Sequence, residues 1–316
     1  MERTSRSALL ALFTALALAA CGGGGDSGGG VTTQNAASLA EPGAPLATGN
    51  TANDGVAWFN FRRQQVGVRT LLRAPMADAA AQGHSEYEKV NNVITHEQTP
   101  GAPGFTGVTV GDRLTAAGYQ FRSAYAYGEV LSSTSDTSGV NAAEDLLAAI
   151  YHRFVILEPV FTQVGAGAAT VRNGSTYFTA NFVTDRLDVG LGAGRIVTYP
   201  FTGQQGVPRN FFSDHEVPDP VPSRNEVGYP VSVHADITSI IEVTSFSIRP
   251  RGGAALQVQL LQNRASAGGT ADPLTPPSAA AIIPVGVLAP ATTYDVQFSG
   301  RVDGVPVSRE WSFTTL

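Results

Sequence analysis

The hydrophobic period of this chain changes once along its length, and that change limits the fold more than any motif does. From Val56 to about Phe154 the apolar residues recur at mixed three- and four-residue spacing, which fits helices. Past Tyr229 they recur at every second position, in "VSVHAD", "IIEVTSFSIRP", "ALQVQLLQ", "AAIIPVGVL", "TYDVQFSGRV" and "REWSFTTL". Six short strands with no helix between them predict a β-sandwich over 229–316. The 200–228 stretch between the two patterns is rich in proline and turn residues and is expected to be an ordered but irregular connector.

The helical part predicts three helices and a hairpin. "LRAPMADAAAQGHSEYEKV" reads as one amphipathic helix, and a shorter one falls around Arg113 to Ala117, stopped by Gly118. "GVNAAEDLLAAIYHRF" reads as a third, with Asn141 as its N-cap. "TQVGAGAATVRNGSTYFTANFV" then reads as strand, turn and strand. Helices followed by an antiparallel pair make 51–199 an α+β domain.

Ahead of both lies a segment outside the fold. Arg3 and Arg6 precede the apolar run Ala8 to Ala20, which at 13 residues is shorter than the roughly 20 needed for a permanent span. It closes in "LAAC", Leu18 to Cys21, which resembles the bacterial lipobox. That resemblance implies a signal peptide over 1–20, lipidation of Cys21 (diacylglycerol, palmitate) and a lipid anchor in the cell envelope. Gly22 after the cysteine leans toward the outer membrane over the inner. "GGGGDSGGG" and the low-complexity residues after it make 21–50 a flexible tether.

Composition excludes several functions. The net charge of −6 gives no basic footprint for nucleic acid. Cys21 is the only cysteine, so neither an intramolecular disulfide nor a thiolate metal cluster can form. The one G-x-S-x-G match, Gly25 to Gly29, lies in the Gly-rich tether and not between a strand and a helix, so it is no nucleophile elbow. "GLGAGR" precedes a strand rather than a helix, so it reads as a turn and not as a phosphate loop.

Four pieces in order, "AAQGHSEYEKVNNVITH", "RLTAAGYQFRSAYAYGEV", "YHRFVILEPVFTQVGAG" and "YFTANFV", resemble the CAP superfamily (SCP/PR-1-like) in its bacterial secreted form. "GEV" stands where the family usually has Gly-Glu-Asn, and "YHR" where it has Gly-His-Arg. The resemblance implies a three-layer α-β-α sandwich with a cleft lined by histidines and acidic residues. By position it assigns His96, Glu129 and His152 to that cleft. The family's second acid falls at Ala148 and Ala149, so Glu144, one turn earlier on the helix, is a weaker candidate. His84 is another, able to join His96 only if the helix ends at "NNV". A competing reading has Glu129 capping backbone or pairing with an arginine such as Arg153.

Two imidazoles and a carboxylate suit one divalent ion such as zinc, with His96, His152 and Glu129 as ligands, or acid-base work with Glu129 as base. The family is known for the cleft without an agreed reaction. Whether the chain is an enzyme therefore stays open. The favoured expectation is non-catalytic binding of a small molecule, lipid, envelope component or protein partner. A metal-assisted hydrolase and surface adhesion through the C-terminal part are the alternatives. "LAPATTYDVQFSGRVDGVPVSREWSFTT" resembles the end of a bacterial Ig-like domain, with Trp311 and Phe313 entering its core. His215 with Asp214 and Glu216 reads as a solvated cluster, and His234 as half-buried or at the surface.

Overall fold

A computed structural model describes residues 41–316 apart from 123, 173, 189 and 265–270. The signal peptide, Cys21 and most of the tether lie outside the described residues, as does Asn173 in the expected "RNGS" turn.

The N-terminal part is a three-layer α-β-α sandwich. Its sheet has the order β1 (Leu72–Arg73), β3 (Gln163–Thr170), β4 (Thr176–Thr184), β2 (Ala126–Thr134). Strand β4 is buried along its whole length because both faces are covered, and its period of two divides them. Phe178 and Phe182 pack, tilted, against Phe59 of helix α1 (Thr51–Gln65). Thr179 bonds Ser85, and Val183 joins Ala77 and Ala80, all on helix α2 (Pro75–Asn91). The even positions therefore face α1 and the odd ones face α2.

Helix α2 starts at Pro75, whose missing N–H costs nothing at a first turn, and ends at Asn92 in the left-handed conformation (φ 52°). It lies very close to β3. A Cβ on Gly165 would fall 2.0 Å from the Ala77 carbonyl carbon, and one on Gly167 2.3 Å from Gln82 Cα. Only glycine allows that approach. Asp78 accepts from Ala166 N–H at 2.8 Å and fixes the register of helix on strand. Helix α3 (Val110–Ala116) is closed by a Thr109–Asp112 capping box and lies against α2.

The third expected helix is two helices. Helix α4 (Gly139–Ala148) is capped by Ser138, not Asn141, whose side chain instead bonds Asp136. Ala149 then leaves the helix at ψ 114°, and α5 (Ile150–Ile156) begins afresh. The cause is Glu216. Its carboxylate accepts from the N–H groups of Ile150 (3.0 Å), Tyr151 (2.8 Å) and His152 (3.4 Å), satisfying donors that a new helix start leaves open.

The C-terminal part is a sandwich of two sheets, β10–β11–β8–β5 and β13–β12–β9. These strands are β5 (Val197–Tyr199), β8 (Val231–His234), β9 (Ile241–Pro250), β10 (Val258–Gln262), β11 (Ala279–Pro284), β12 (Thr293–Val302) and β13 (Val305–Thr314). Trp311 and Phe313 do enter its core, with Phe246 against Phe298 and Trp311. The connector adds a short hairpin, β6 (Asn210–Phe212) with β7 (Glu226–Gly228). Strand β11 is buried on both faces, because Ala281 and Ile283 meet Ile150, Tyr151 and Phe154 of α5. One continuous buried cluster runs from Trp58 in α1 to Phe313 in β13.

Polar contacts tie the two parts together. Arg153 lies over the adjacent rings of Tyr199 and Tyr229, 4.9 Å from each centroid, and donates to Leu147 O and Pro230 O. Within the N-terminal part, Arg63, fully buried, donates to the carbonyls of Arg69, Ile156, Glu158 and Phe161. Burial pushes its pKa down to about 9.

Candidate functional site

Glu129 stands on β2 directly opposite Asn181 of β4, on the face turned to α2. Its carboxylate is held from three sides. Arg113 of α3 donates to both oxygens through Nη2, at 2.8 and 2.7 Å. His96 approaches Oε1 through Nδ1 at 3.0 Å. The Asn181 amide, turned so that both its ends are satisfied, gives its nitrogen to Oε2 at 2.8 Å. Arg113 also donates to His96 O at 2.8 Å, so one guanidinium positions both acid and imidazole.

His84 lies beside this group, its Nε2 4.0 Å from Glu129 Oε1. The helix ends at Asn91, so the chain folds back and Thr95 O accepts from His84 Nε2–H at 2.7 Å. Gln98 donates to Nδ1 at 2.9 Å. With one nitrogen donating and the other accepting, the ring is neutral. Burial lowers its pKa to about 4, aided by the nearby Arg113 and His96. Glu88, on the same face of α2, accepts from Thr95 N–H at 3.3 Å and leaves its second oxygen without a partner. Burial raises its pKa well above the ordinary value, and the charge of Glu129 adds to that.

Burial alone would also raise Glu129. The cation of Arg113, with His84 and His96, outweighs burial and holds its carboxyl at about 2. The Glu129 carboxylate and the Arg113 guanidinium thus form an ion pair in a centre whose members are all almost wholly buried. With Nδ1 on the carboxylate, His96 Nε2 has no partner among the described residues, as is also true of Glu88 Oε2 and Arg113 Nε.

His152 is not part of this group, contrary to the assignment by resemblance. Gly128 meets Val155 of α5, so α5 lies against the face of β2 that carries the even residues. Glu129 points the other way, and the sheet separates the two histidines. His152 Nδ1 pairs instead with Glu216 at 3.0 Å. Glu216 is therefore no solvated residue: it is 1% exposed, while Asp214 next to it is exposed. Glu144 lies away from the centre as well, held by Arg62 and by Trp58 Nε1. Arg153 is not the partner of Glu129; Arg113 is. His234 is 3% exposed rather than at the surface, and pairs with Glu158 at 2.9 Å.

The zinc expectation loses its ligand set. Both oxygens of Glu129 face a guanidinium, so an ion there would sit against a fixed positive charge, and His152 is across the sheet. No group of three His, Cys, Asp or Glu among the described residues is arranged to hold a metal. The residues do not fit a divalent ion. Glu129 is also no general base, with its oxygens occupied and its carboxyl at about 2.

Sequence reasoning missed Arg113, Glu88 and Glu216. Two of these carried a signal. Glu88 continues the buried stripe Ala77, Ala80, Ala81, His84 of α2, and Arg113 shares the buried face of α3 with Val110 and Leu114. A charged residue on a helix's buried stripe needs a buried partner. Glu216 carried no such signal.

An α-β-α sandwich with a carboxylate–imidazole centre on one face defines the class. Residues 56–182 match the model of the cysteine-rich secretory protein family (CAP), and the chain carries a CAP domain. No cysteine lies in that span, so packing and hydrogen bonds hold this domain without a disulfide. Among solved structures, an extracellular protein containing a SCP domain from Bacillus anthracis str. Ames is 26% identical at a TM-score of 0.36, covering 44% of this chain and 44% of that one. An outer surface protein from Borrelia burgdorferi is 14% identical at a TM-score of 0.37, covering 45% of this chain and 97% of that one. The chain thus spans less than half the length of the first of these. No curated protein matches.

Proposed function

We propose that the chain is a lipid-anchored envelope protein whose CAP domain binds a ligand without catalysis. The observation that carries this reading is His96 Nε2, a polar atom with no partner among the described residues, on a ring that Glu129 and Arg113 position. Such an atom is set to make one oriented hydrogen bond. The ligand reaches it by local opening, since the ring is 3% exposed. The adjoining 97–109 stretch, which turns at Gly101, Gly104 and Gly107, each at positive φ, is the segment this reading requires to open. The anchor at Cys21 rests on the lipobox resemblance alone.

The same atom supports one competing reading. An imidazole oriented by a carboxylate through Nδ1, with Nε2 free, is the arrangement of a general base, and it would serve a metal-independent hydrolase.

Nitrogen-15 NMR of the histidine rings separates these. Vesicles of phosphatidylethanolamine and phosphatidylglycerol, then soluble peptidoglycan fragments, are added to the full chain, with p-nitrophenyl butyrate turnover followed in parallel. Movement of the His96 Nε2 resonance with one probe and no turnover supports binding. Turnover abolished by His96→Gln would favour the hydrolase. A resonance indifferent to every probe, without turnover, sinks both. Zinc should leave the resonance where it is.

A further inference from the structure

Far from the centre, at the junction of the two parts, lie two adjoining cavities of about 280 and 340 Å³ that share Val66, Ile196 and Val197. Together they form one groove, bordered by the end of α1, by β5 and by β13. Three arginines from distant points of the sequence line it: Arg69, Arg195 and Arg309. All three are exposed, and none forms an ion pair among the described residues; the Arg309 guanidinium bonds only the neighbouring Ser308 O.

Arg309 is the telling one. Strand β13 alternates, and Val307, Trp311 and Phe313 on its inward face are buried. Arg309 occupies that same inward face, paired with the fully buried Phe298, yet it is exposed. A cation at a core-facing position is costly unless the core stops there, and the groove is where it stops. Trp311 and Phe201 supply apolar wall beside it, and Thr198 and Thr202 line the same cavity. The carboxylate present, Glu310, points to the other face of β13 and accepts from Gln297 at 3.0 Å.

We propose that this groove binds a phosphate ester, with the arginines on the phosphate and the apolar wall on the group esterified to it. Guanidinium groups match phosphate oxygens in pairs, and three unpaired ones in a chain of net charge −6 mark a local reversal of field. Cavities of this size take a small ligand. The site stands apart from the His96 centre and does not depend on the reading given for it.

The test uses the full chain and two probes, glycerol 3-phosphate and dihexanoylphosphatidylglycerol, followed by calorimetry and by the fluorescence of Trp311. Binding should weaken about tenfold in Arg309→Gln and about a hundredfold in Arg195→Gln/Arg309→Gln, as expected for charge-assisted contacts. Added salt should weaken it too. Arg172→Gln, an exposed arginine outside the groove, should bind as the parent does. Binding of both probes identifies a free phosphate ester as sufficient; binding of the lipid alone identifies a lipid headgroup. Binding of neither, or a double variant that binds like the parent, overturns the proposal. The substituted residues are exposed, so loss of fold does not confuse the outcome.

Discussion

His96–Glu129 and His152–Glu216 are the same construction used in two ways. In each, an imidazole Nδ1 meets a buried carboxylate at 3.0 Å and Nε2 is left without a partner among the described residues. What differs is the rest of the carboxylate's contacts. Glu129 is neutralised by a guanidinium, which suits a group of side chains that holds its own charge balance inside one domain. Glu216 is held instead by three backbone N–H groups at the start of α5. It comes from the connector, 64 residues after His152, so it fastens the connector to the CAP domain. One dyad is built around a charge pair, the other around a helix start, and the dependence of the fold on each should differ accordingly.

Removing the fastening acid should have the largest effect. Glu216→Ala leaves three N–H groups and an imidazole unsatisfied in a buried place, and should cost about 5 kcal/mol, measured by urea unfolding. A loss under about 1 kcal/mol would mean that α5 starts on its own and that the comparison fails. Next comes Arg113→Met, which strands the buried Glu129 carboxylate. It should cost about 4 kcal/mol and raise the Glu129 pKa from its value of about 2. The same NMR titration that reads the histidines would report that rise.

Third is a pH effect on the Glu129 side. Unfolded, a histidine titrates near 6.5; folded, His84 does so at about 4. Between those values the unfolded chain takes a proton that the folded chain refuses. Stability therefore falls as pH drops from 6.5 to 4, by about 3 kcal/mol from this residue. Glu129, depressed from 4.5 to about 2, adds a further loss below pH 4.5. Asp145, raised to about 7 by burial and by Glu144 and Asp136, acts in the opposite sense, as does Glu88. The difference between parent and His84→Gln isolates the histidine, and a difference curve flat from pH 6.5 to 4 would refute its assignment as buried and neutral.

How much of this could be read from the sequence follows from the range of each interaction. The period of two past Tyr229 and the stripe of α2 are local patterns, and both appear in the structure as strands and helix. The end of α2 at "NNV" was readable too, because Asn tolerates the left-handed turn. The break at Ala149 was not. "LLAAIYHRF" is apolar and helix-compatible throughout, and what interrupts it is a carboxylate far along the chain. For the same reason His152 read as a member of the cleft: a position in a motif fixes neighbours in sequence, while the face of the sheet is settled by packing. His96 and Glu129 do meet, and the arginine that joins them was legible only as a charge on the buried face of a helix of 7 residues, beside Val110 and Leu114, with nothing local to name its partner.

The smallest effect sharpens the comparison most. If the carboxylates organise both centres, the imidazoles are secondary to stability. His96→Phe leaves Glu129 with both bonds from Arg113, and His152→Phe leaves Glu216 with its backbone donors. Each substitution loses one hydrogen bond but also removes a buried nitrogen that had no partner, so each should cost only about 1 kcal/mol. The two variants should then be nearly equal in unfolding and unlike in function. His96→Phe should abolish the response to whichever vesicle or peptidoglycan probe moves the His96 resonance, while His152→Phe should keep it. Equal loss of the response in both would mean that the two imidazoles report on one opening of the molecule, and that the sheet between them does not separate their roles.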